Sequence, residues 1–256
     1  MRRVESHYGP GAPEPWEESW QAKDAERAHL DVVAERPSLN SSIYRPFVDK
    51  LVSQYKNATV LEAGSGLGQW VYYLAHKPVQ KIVGLDFAAA TQERVGATRT
   101  LGPYVESGVV ELVVGDIREI PISDESFDLV FSFGVIEHVS DSDSQRAVTE
   151  FARVLRPGGQ VFLTTPNLYC MHTITRPFLR LLGKWTVGFE RSIAPRKLRS
   201  YVIGANLSVE ESGVLPSGLL FGGALTTRLP VLRSLSLIIE RQSRTAGFLS
   251  YVVGRK

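Results

Sequence analysis

The sequence has one cysteine, two methionines and no long hydrophobic run, and each shortage closes off a class of protein. A single thiol, Cys170, cannot form an internal disulfide, so the chain is not a disulfide-stapled scaffold. With no second cysteine and only five scattered histidines, no metal-ligand spacing is present and no metal is expected. Arg, Ser, Gly and Pro interrupt every apolar segment, so none reaches the roughly 18 uninterrupted apolar residues of a membrane-spanning helix. Residues 1–15 are polar and rich in Gly and Pro and lack the apolar core of a signal peptide; the expectation is a soluble, cytoplasmic protein. Cys170 reads as a small core or pocket-wall residue rather than a nucleophile, since no His-rich partner motif surrounds it.

What the chain does have is 256 residues with 43% hydrophobic content, enough for one substantial core. Its net charge of +2 conceals an asymmetry. Residues 1–175 carry 16 Lys and Arg against 23 Asp and Glu, whereas residues 176–256 carry 13 against 4, so the two parts stand at −7 and +9. A basic C-terminal third suits an anionic substrate, peripheral contact with an anionic membrane surface, or an acidic neighbouring subunit; it equally suits a basic face packed beside the acidic part of the same domain. No oligomeric state follows from these features.

Residues Trp16 to Glu35 have high helix propensity and end before Pro37, and a second helix is expected from about Ile43 to Tyr55. From Ala58 short β-branched runs alternate with helical patterns. Strands are expected at Thr59–Glu62, Lys81–Leu85, Val109–Val114, Phe127–Phe133, Gln160–Thr165 and, last, Phe248–Val253. Helices are expected at about Gly68–His76, Ala88–Leu101 and Ser142–Leu155, the last stopped by a turn at Arg156-Pro157-Gly158-Gly159. Beyond Pro166 the pattern loosens into helical stretches at Tyr169–Leu182, Pro195–Ile203 and Leu229–Arg241. Alternating strands and helices imply βαβ units and a mainly parallel, doubly wound α/β sheet.

The first strand runs into Glu62-Ala63-Gly64-Ser65-Gly66-Leu67-Gly68, a strand, an acid, a glycine-rich turn and a helix start. Glycines let the backbone turn sharply and let a ligand approach the main chain. A dinucleotide-binding loop would place its third glycine at position 69, where this chain has Gln69; that disfavours a nicotinamide-dependent oxidoreductase, the competing reading on the same fold. Asp86 ends the second strand about 20 residues after the loop, a position that suits a carboxylate accepting from two ribose hydroxyls. The third strand ends at Gly115-Asp116-Ile117.

Glycine at 68 with an acid two residues before Gly64 resembles the first motif of the class I S-adenosylmethionine-dependent methyltransferases. The words Phe127-Asp128-Leu129-Val130-Phe131-Ser132-Phe133-Gly134-Val135-Ile136-Glu137-His138-Val139 and Arg153-Val154-Leu155-Arg156-Pro157-Gly158-Gly159 extend that resemblance to the small-molecule methyltransferases that include the ubiquinone and menaquinone biosynthesis enzymes. It covers about Thr59 to Asn167. Outside that core, residues 1–57 are expected to form an N-terminal helical lid and residues 58–256 the methyltransferase domain, with a helical substrate cap at about 168–203, since loops and insertions around a rigid sheet usually carry specificity. The resemblance implies a Rossmann-like seven-stranded sheet with an antiparallel last strand. It implies S-adenosylmethionine as cofactor, with Glu62 contacting its amino group, Gly64, Ser65 and Gly66 beside its aminoacyl part, Asp86 on the ribose, and Asp116 on the adenine amino group. Ile117 and Phe87 would cover the adenine faces, and Ser132, Phe133 and Gly134 would complete the cofactor site.

The tetrapeptide that many amino-group methyltransferases of nucleic acids carry after the fourth strand is absent, Ser132-Phe133-Gly134-Val135 standing there, and no RNA-binding aromatic motif or compact basic run offsets this. A small-molecule acceptor is therefore expected, and a nucleic acid is not. Trp16, Trp20, Tyr169, His172 and Trp185 are candidate acceptor-site residues, and Leu219, Leu220 and Phe221 lean the reading toward an aromatic or lipophilic acceptor. Methyl transfer from a sulfonium needs alignment, exclusion of water and, for an oxygen or carbon acid, a base. His138, just past the fourth strand, is the candidate base, its ring directed over the cofactor methyl or back into the next helix start. A protein that binds S-adenosylmethionine without turning over an acceptor remains a third reading.

Overall fold

The computed structural model describes residues 39–182, 189–221, 226 and 228–256; the helix expected over Trp16–Glu35 lies outside them. In chain order the described elements are α1 (Leu39–Val52), β1 (Ala58–Ala63), α2 (Gln69–Ala75), β2 (Val79–Asp86), α3 (Ala89–Gly96), α4 (Gly102–Glu106), β3 (Val110–Val114), β4 (Phe127–Phe133), a 3-10 turn (Ile136–His138), α5 (Asp141–Val154), β5 (Leu155–Pro166), α6 (Met171–Leu181), α7 (Pro195–Gly204), β6 (Ser208–Leu215), α8 (Pro230–Gln242) and β7 (Leu249–Arg255). The seven strands form one sheet in the order β3-β2-β1-β4-β5-β7-β6. The first five run parallel, and β7 lies antiparallel between β5 and β6.

Alternation along the strands builds two cores. Leu61, Ala63, Val83, Leu85, Val130, Val161 and Leu163 face α5 and α7, while Val60, Ile82, Leu129, Phe131 and Phe162 face α1 and α2. Period-two patterning thus buries both faces, as a parallel sheet with helices on either side requires. α5 presents Ala147, Val148, Phe151 and Ala152 inward. Its start is fixed by Ser140, whose Oγ accepts the Asp143 N–H at 3.1 Å, with Asp141 and Asp143 complementing the positive helix end.

Four expectations change. The helix expected over Ala88–Leu101 ends early, at Gly96, as α3, and a separate α4 begins past it at Gly102-Pro103, a pair that favours a new helix start. The turn at Arg156–Gly159 is instead the first part of β5, which pairs Phe127 with Leu155 and Leu129 with Gln160. A bulge there absorbs the extra residues, with Gly158 at φ +81°. α1 is not a detachable lid: Val48, Leu51 and Val52 are fully buried in the core under the sheet. α7, placed at the end of the cap by the sequence, buries Leu198, Tyr201 and Val202 against the sheet.

Candidate active site

After β1 the chain turns outward to β2 and β3, and β4 then returns to the other side of β1. This reversal opens a crevice at the C-terminal strand ends, the usual ligand position in such sheets. The loops after β1 and β4 meet there. Gly64 sits at φ +83°, and a Cβ on it would lie 2.4 Å from Val135 Cγ2, so only glycine fits. Gly66 and Gly68 also have positive φ, +48° and +71°, and the turn is pinned to β2 by the Gly64 and Ser65 N–H groups, which both donate to the Leu85 carbonyl.

Glu62 is 3% exposed and accepts the backbone N–H of Val71, in the first turn of α2. Burial, against that bond and with the nearby Asp86 charge adding to it, pushes its carboxyl well above the usual range. Its Oε2 has no hydrogen-bond partner among the described residues. An unsatisfied buried carboxylate oxygen is costly in the folded chain and is the natural partner for a cationic group.

Asp86 is buried at the end of β2. Oδ2 accepts the Gly66 N–H at 2.8 Å and Oδ1 the Ala88 N–H at 3.0 Å, and the Phe87 N–H also donates. Burial outweighs these bonds and raises its pKa. Ser65 Oγ accepts from Gln92 Nε2 at 2.8 Å, and the Phe87 ring is half-buried beside Asp86.

Five expected cofactor residues make contacts within the chain. Asp116 is held in a fork by Arg118, Nε to Oδ1 at 2.9 Å and Nη2 to Oδ2 at 2.6 Å. Burial alone would raise its pKa, but Arg118 lowers it overall, and an adenine amino group would have to share the carboxylate with this guanidinium. Ile117 is buried in the same core cluster as Leu85, Ile120 and Ile136. Ser132 donates to the Ala63 carbonyl at 3.0 Å, tying β4 to β1, while the Phe133 ring stacks on Trp70 and Tyr44 with centroids 4.7 and 5.1 Å away. Gly134, at φ +70°, donates its N–H to Thr164 and turns the chain out of β4.

His138 Nδ1 lies 2.7 Å from the Phe189 carbonyl, in the segment whose Arg191 bonds Ser140 and Asp141 at the start of α5. A carbonyl only accepts, so the proton sits on Nδ1 and Nε2 is the basic nitrogen. Burial lowers the imidazole pKa, against the Phe189 bond and the Glu190 charge, which raise it. Beside it are residues that the sequence reading did not single out. Glu137 is buried, with Oε1 3.9 Å from His138 Nε2 and Oε2 without a partner among the described residues. Burial and the Glu190 charge raise its carboxyl well above its usual range, although its own backbone N–H and Arg191 oppose this. Glu190 accepts from His172 Nε2 at 3.1 Å and Arg176 Nη1 at 3.0 Å. Burial would raise its pKa, but those groups and His138 bring it below normal. The signal for Glu137 was in plain view: an acid directly before the candidate base, in the turn that follows a buried strand.

Of the acceptor-site candidates, His172 joins this cluster through Glu190, whereas Tyr169 is exposed at the exit of β5. Trp16, Trp20 and Trp185 lie outside the described residues. Leu219 is buried, and Leu220, half-buried, accepts the Met171 N–H through its carbonyl at 3.0 Å.

Residues 61–163 match the family described as a methyltransferase domain. A probable S-adenosylmethionine-dependent methyltransferase of Mycolicibacterium smegmatis is 36% identical over 118 residues, 46% of this chain and 42% of that protein. A tRNA U34 carboxymethyltransferase of Campylobacter hominis is 29% identical over 124 residues, 48% of this chain and 40% of that one. The chain therefore spans less than half the length of either relative. Among solved structures, the putative methyltransferase of Haloferax volcanii in complex with its Trm112 activator superposes with a TM-score of 0.61 at 21% identity, over 91% of this chain and 95% of that one.

Proposed function

We propose that this chain, whose residues 61–163 match a methyltransferase domain, is an S-adenosylmethionine-dependent methyltransferase of class I that methylates an oxygen atom of a small aromatic or lipophilic molecule. The observation that carries the reading is the pairing, at the switch point, of a left-handed glycine turn with two buried acids, Glu62 and Asp86, the former keeping an oxygen without a partner. These residues fit S-adenosylmethionine: Glu62 Oε2 would take its ammonium group, Gly64 to Gly66 leave its aminoacyl part room at the main chain, and Asp86, already oriented by three N–H donors, would take the ribose hydroxyls.

When bound, the cofactor supplies an electrophilic methyl group whose sulfur leaves without needing a proton. The protein's own work is alignment, desolvation and removal of the acceptor proton. His138 suits the last task. Nδ1 is anchored to the Phe189 carbonyl, so Nε2 carries the lone pair, and burial keeps the ring neutral at pH 7. Glu190, whose carboxyl is held below its usual range, stands close enough to stabilise the imidazolium that forms. Carbon is the alternative acceptor atom, reached by the same proton removal.

A second reading has its own support. The relative named for tRNA modification and the +9 balance of residues 176–256 favour an RNA acceptor, while Ser132–Val135 after β4 disfavours its base amino groups. Incubation of cell extracts with methyl-labelled cofactor, separated into RNA and small-molecule fractions, distinguishes them by where label appears. The cofactor assignment is tested by calorimetry on Asp86→Ala: loss of a charged acceptor for two hydroxyls should weaken binding about ten- to hundredfold, and unchanged affinity would refute it.

A further inference from the structure

Large hydrophobic side chains left exposed among the described residues are not scattered. Of thirteen, all but Val114 and Ile203 lie on α6, α8 and their approaches, so the apolar exposure is concentrated on these two helices. α6 is inside out. Ile174, Phe178 and Leu181 follow one another at i, i+4 and i+7 and are 61%, 65% and 86% exposed. The half-buried residues of the same helix are three polar ones and Leu179: Thr173 donates to the Asn167 carbonyl and to Ser192, while His172 and Arg176 hold Glu190. α8 likewise turns Val231, Leu235 and Ile238 outward, with Ser236 and Glu240 buried and Leu232, Leu237 and Ile239 half-buried. Both helices are tied to one segment: the Met171 N–H donates to Leu220, and Gly218 donates to Glu240 and packs beside Arg233 and Leu237.

The charge around these stripes selects their occupant. Arg228, Arg233, Arg241 and Arg244 are exposed on or beside α8. All four acids of residues 176–256 have partners within the chain: Glu190 with His172 and Arg176, Glu210 with Arg255, Glu211 with Lys50 and Tyr251, and Glu240 with Ser217 and Gly218. The cations therefore dominate the outward field. A second copy meeting this face would bring the same positive charge, whereas an anionic lipid surface meets both demands, taking apolar side chains below its headgroups and cations among them. The helices, 11 and 13 residues long, are too short to cross a bilayer and suit a position in its plane.

We propose that α6 and α8 form a docking face for an anionic membrane. Since the polar side of α6 holds Glu190, the docked face adjoins the wall of the candidate acceptor site. The proposal does not depend on methyl transfer, and its readout is binding alone. The full chain is sedimented with vesicles of phosphatidylglycerol and phosphatidylcholine in equal parts, and with vesicles of phosphatidylcholine only. Binding to the anionic vesicles should be stronger by about tenfold or more, and high salt should weaken it. Phe178→Asp, with Leu181→Asp as a second variant should the first misfold, should reduce binding about tenfold or more at unchanged circular dichroism. Arg228→Glu with Arg241→Glu should remove the preference for anionic lipid. Failure to bind either vesicle, equal binding by well-folded Phe178→Asp and Leu181→Asp, or self-association that Phe178→Asp dissolves without vesicle binding would overturn the proposal.

Discussion

At the scale of single residues, the site holds charge that the empty fold is better off without. Glu62 has a folded-state pKa above its unfolded value, so the folded chain binds the proton more tightly. Above both values the ionised, buried carboxyl is a penalty, and stability falls as pH rises from the unfolded value through the folded one, then levels off. Glu62→Gln keeps the shape and removes the charge. It should stabilise the cofactor-free protein at neutral pH by about 1–2 kcal/mol, a rise in Tm of roughly 2–8 °C for a chain of this length, while weakening cofactor binding about tenfold or more. Thermal melts with and without S-adenosylmethionine read both effects, and a variant less stable than the parent in the absence of cofactor contradicts the argument. His138 has the opposite sign. Its pKa is lowered by burial, so the stability it adds is present above about pH 6.5 and is lost as pH falls through the window below that value. The same shift places the acid limb of the pH–rate profile below 6.5. His138→Ala should lower turnover about a hundred- to ten-thousandfold with cofactor affinity nearly intact; most of the rate surviving in a folded variant, with chemistry rate-limiting, removes His138 as the base.

At the scale of elements, the most specific contact is the one between the turns that leave β1 and β4. Gly64→Ala would place a methyl group 2.4 Å from Val135 Cγ2 at a φ of +83°. Steric overlap and left-handed strain should together cost about 2–4 kcal/mol. Adding Val135→Ala relieves the overlap and leaves the strain, so the double variant should regain part of the loss, and denaturant midpoints of the four proteins measure that coupling. Full additivity would mean that the two turns do not touch. This junction also marks how far the sequence could be read. Strands β1 to β5, their order of function and the acids at their ends follow from local pattern, because a buried parallel strand must be apolar and a glycine turn needs no distant partner. What local pattern could not supply was partnership. Asp116 reads as a free strand-end acid until Arg118, two residues on, is seen to fold back on it. Phe133 reads as part of a ligand site until Tyr44 and Trp70 are found against its ring. Glu190, which holds His172 and Arg176 beside the candidate base, carries no motif at all. Nor could the bulge in β5 be separated from a turn, since Pro157-Gly158-Gly159 signals both.

At the scale of the whole molecule, the acidic and basic parts of the sequence are not two bodies. Lys197 and Arg191 reach Asp141 at 2.9 and 3.3 Å, and Lys50 reaches Glu211 at 3.0 Å. Those pairs are largely exposed and individually weak, so they do not explain why the two parts stay together. The sheet does. β7 lies between β5 and β6, pairing Phe162 with Val253 on one side and Glu211 with Val253 on the other. Its alternating side chains serve both cores: Val252 packs with the α5 and α7 cluster, while Tyr251 and Val253 pack with the α1 and α2 cluster. Removing residues 249–256 would leave the β5 edge open along its length, detach β6 from the sheet and uncover both cores at once. The expected result is loss of the cooperative unfolding transition for the entire chain, including the glycine turn far away in sequence, rather than loss of a C-terminal piece alone. Differential scanning calorimetry of the intact and shortened chains decides the matter. A single transition in the intact protein and none in the shortened one makes this sheet one folding unit; a transition kept near the original temperature would mean that β1 to β5 with their helices stand without β7.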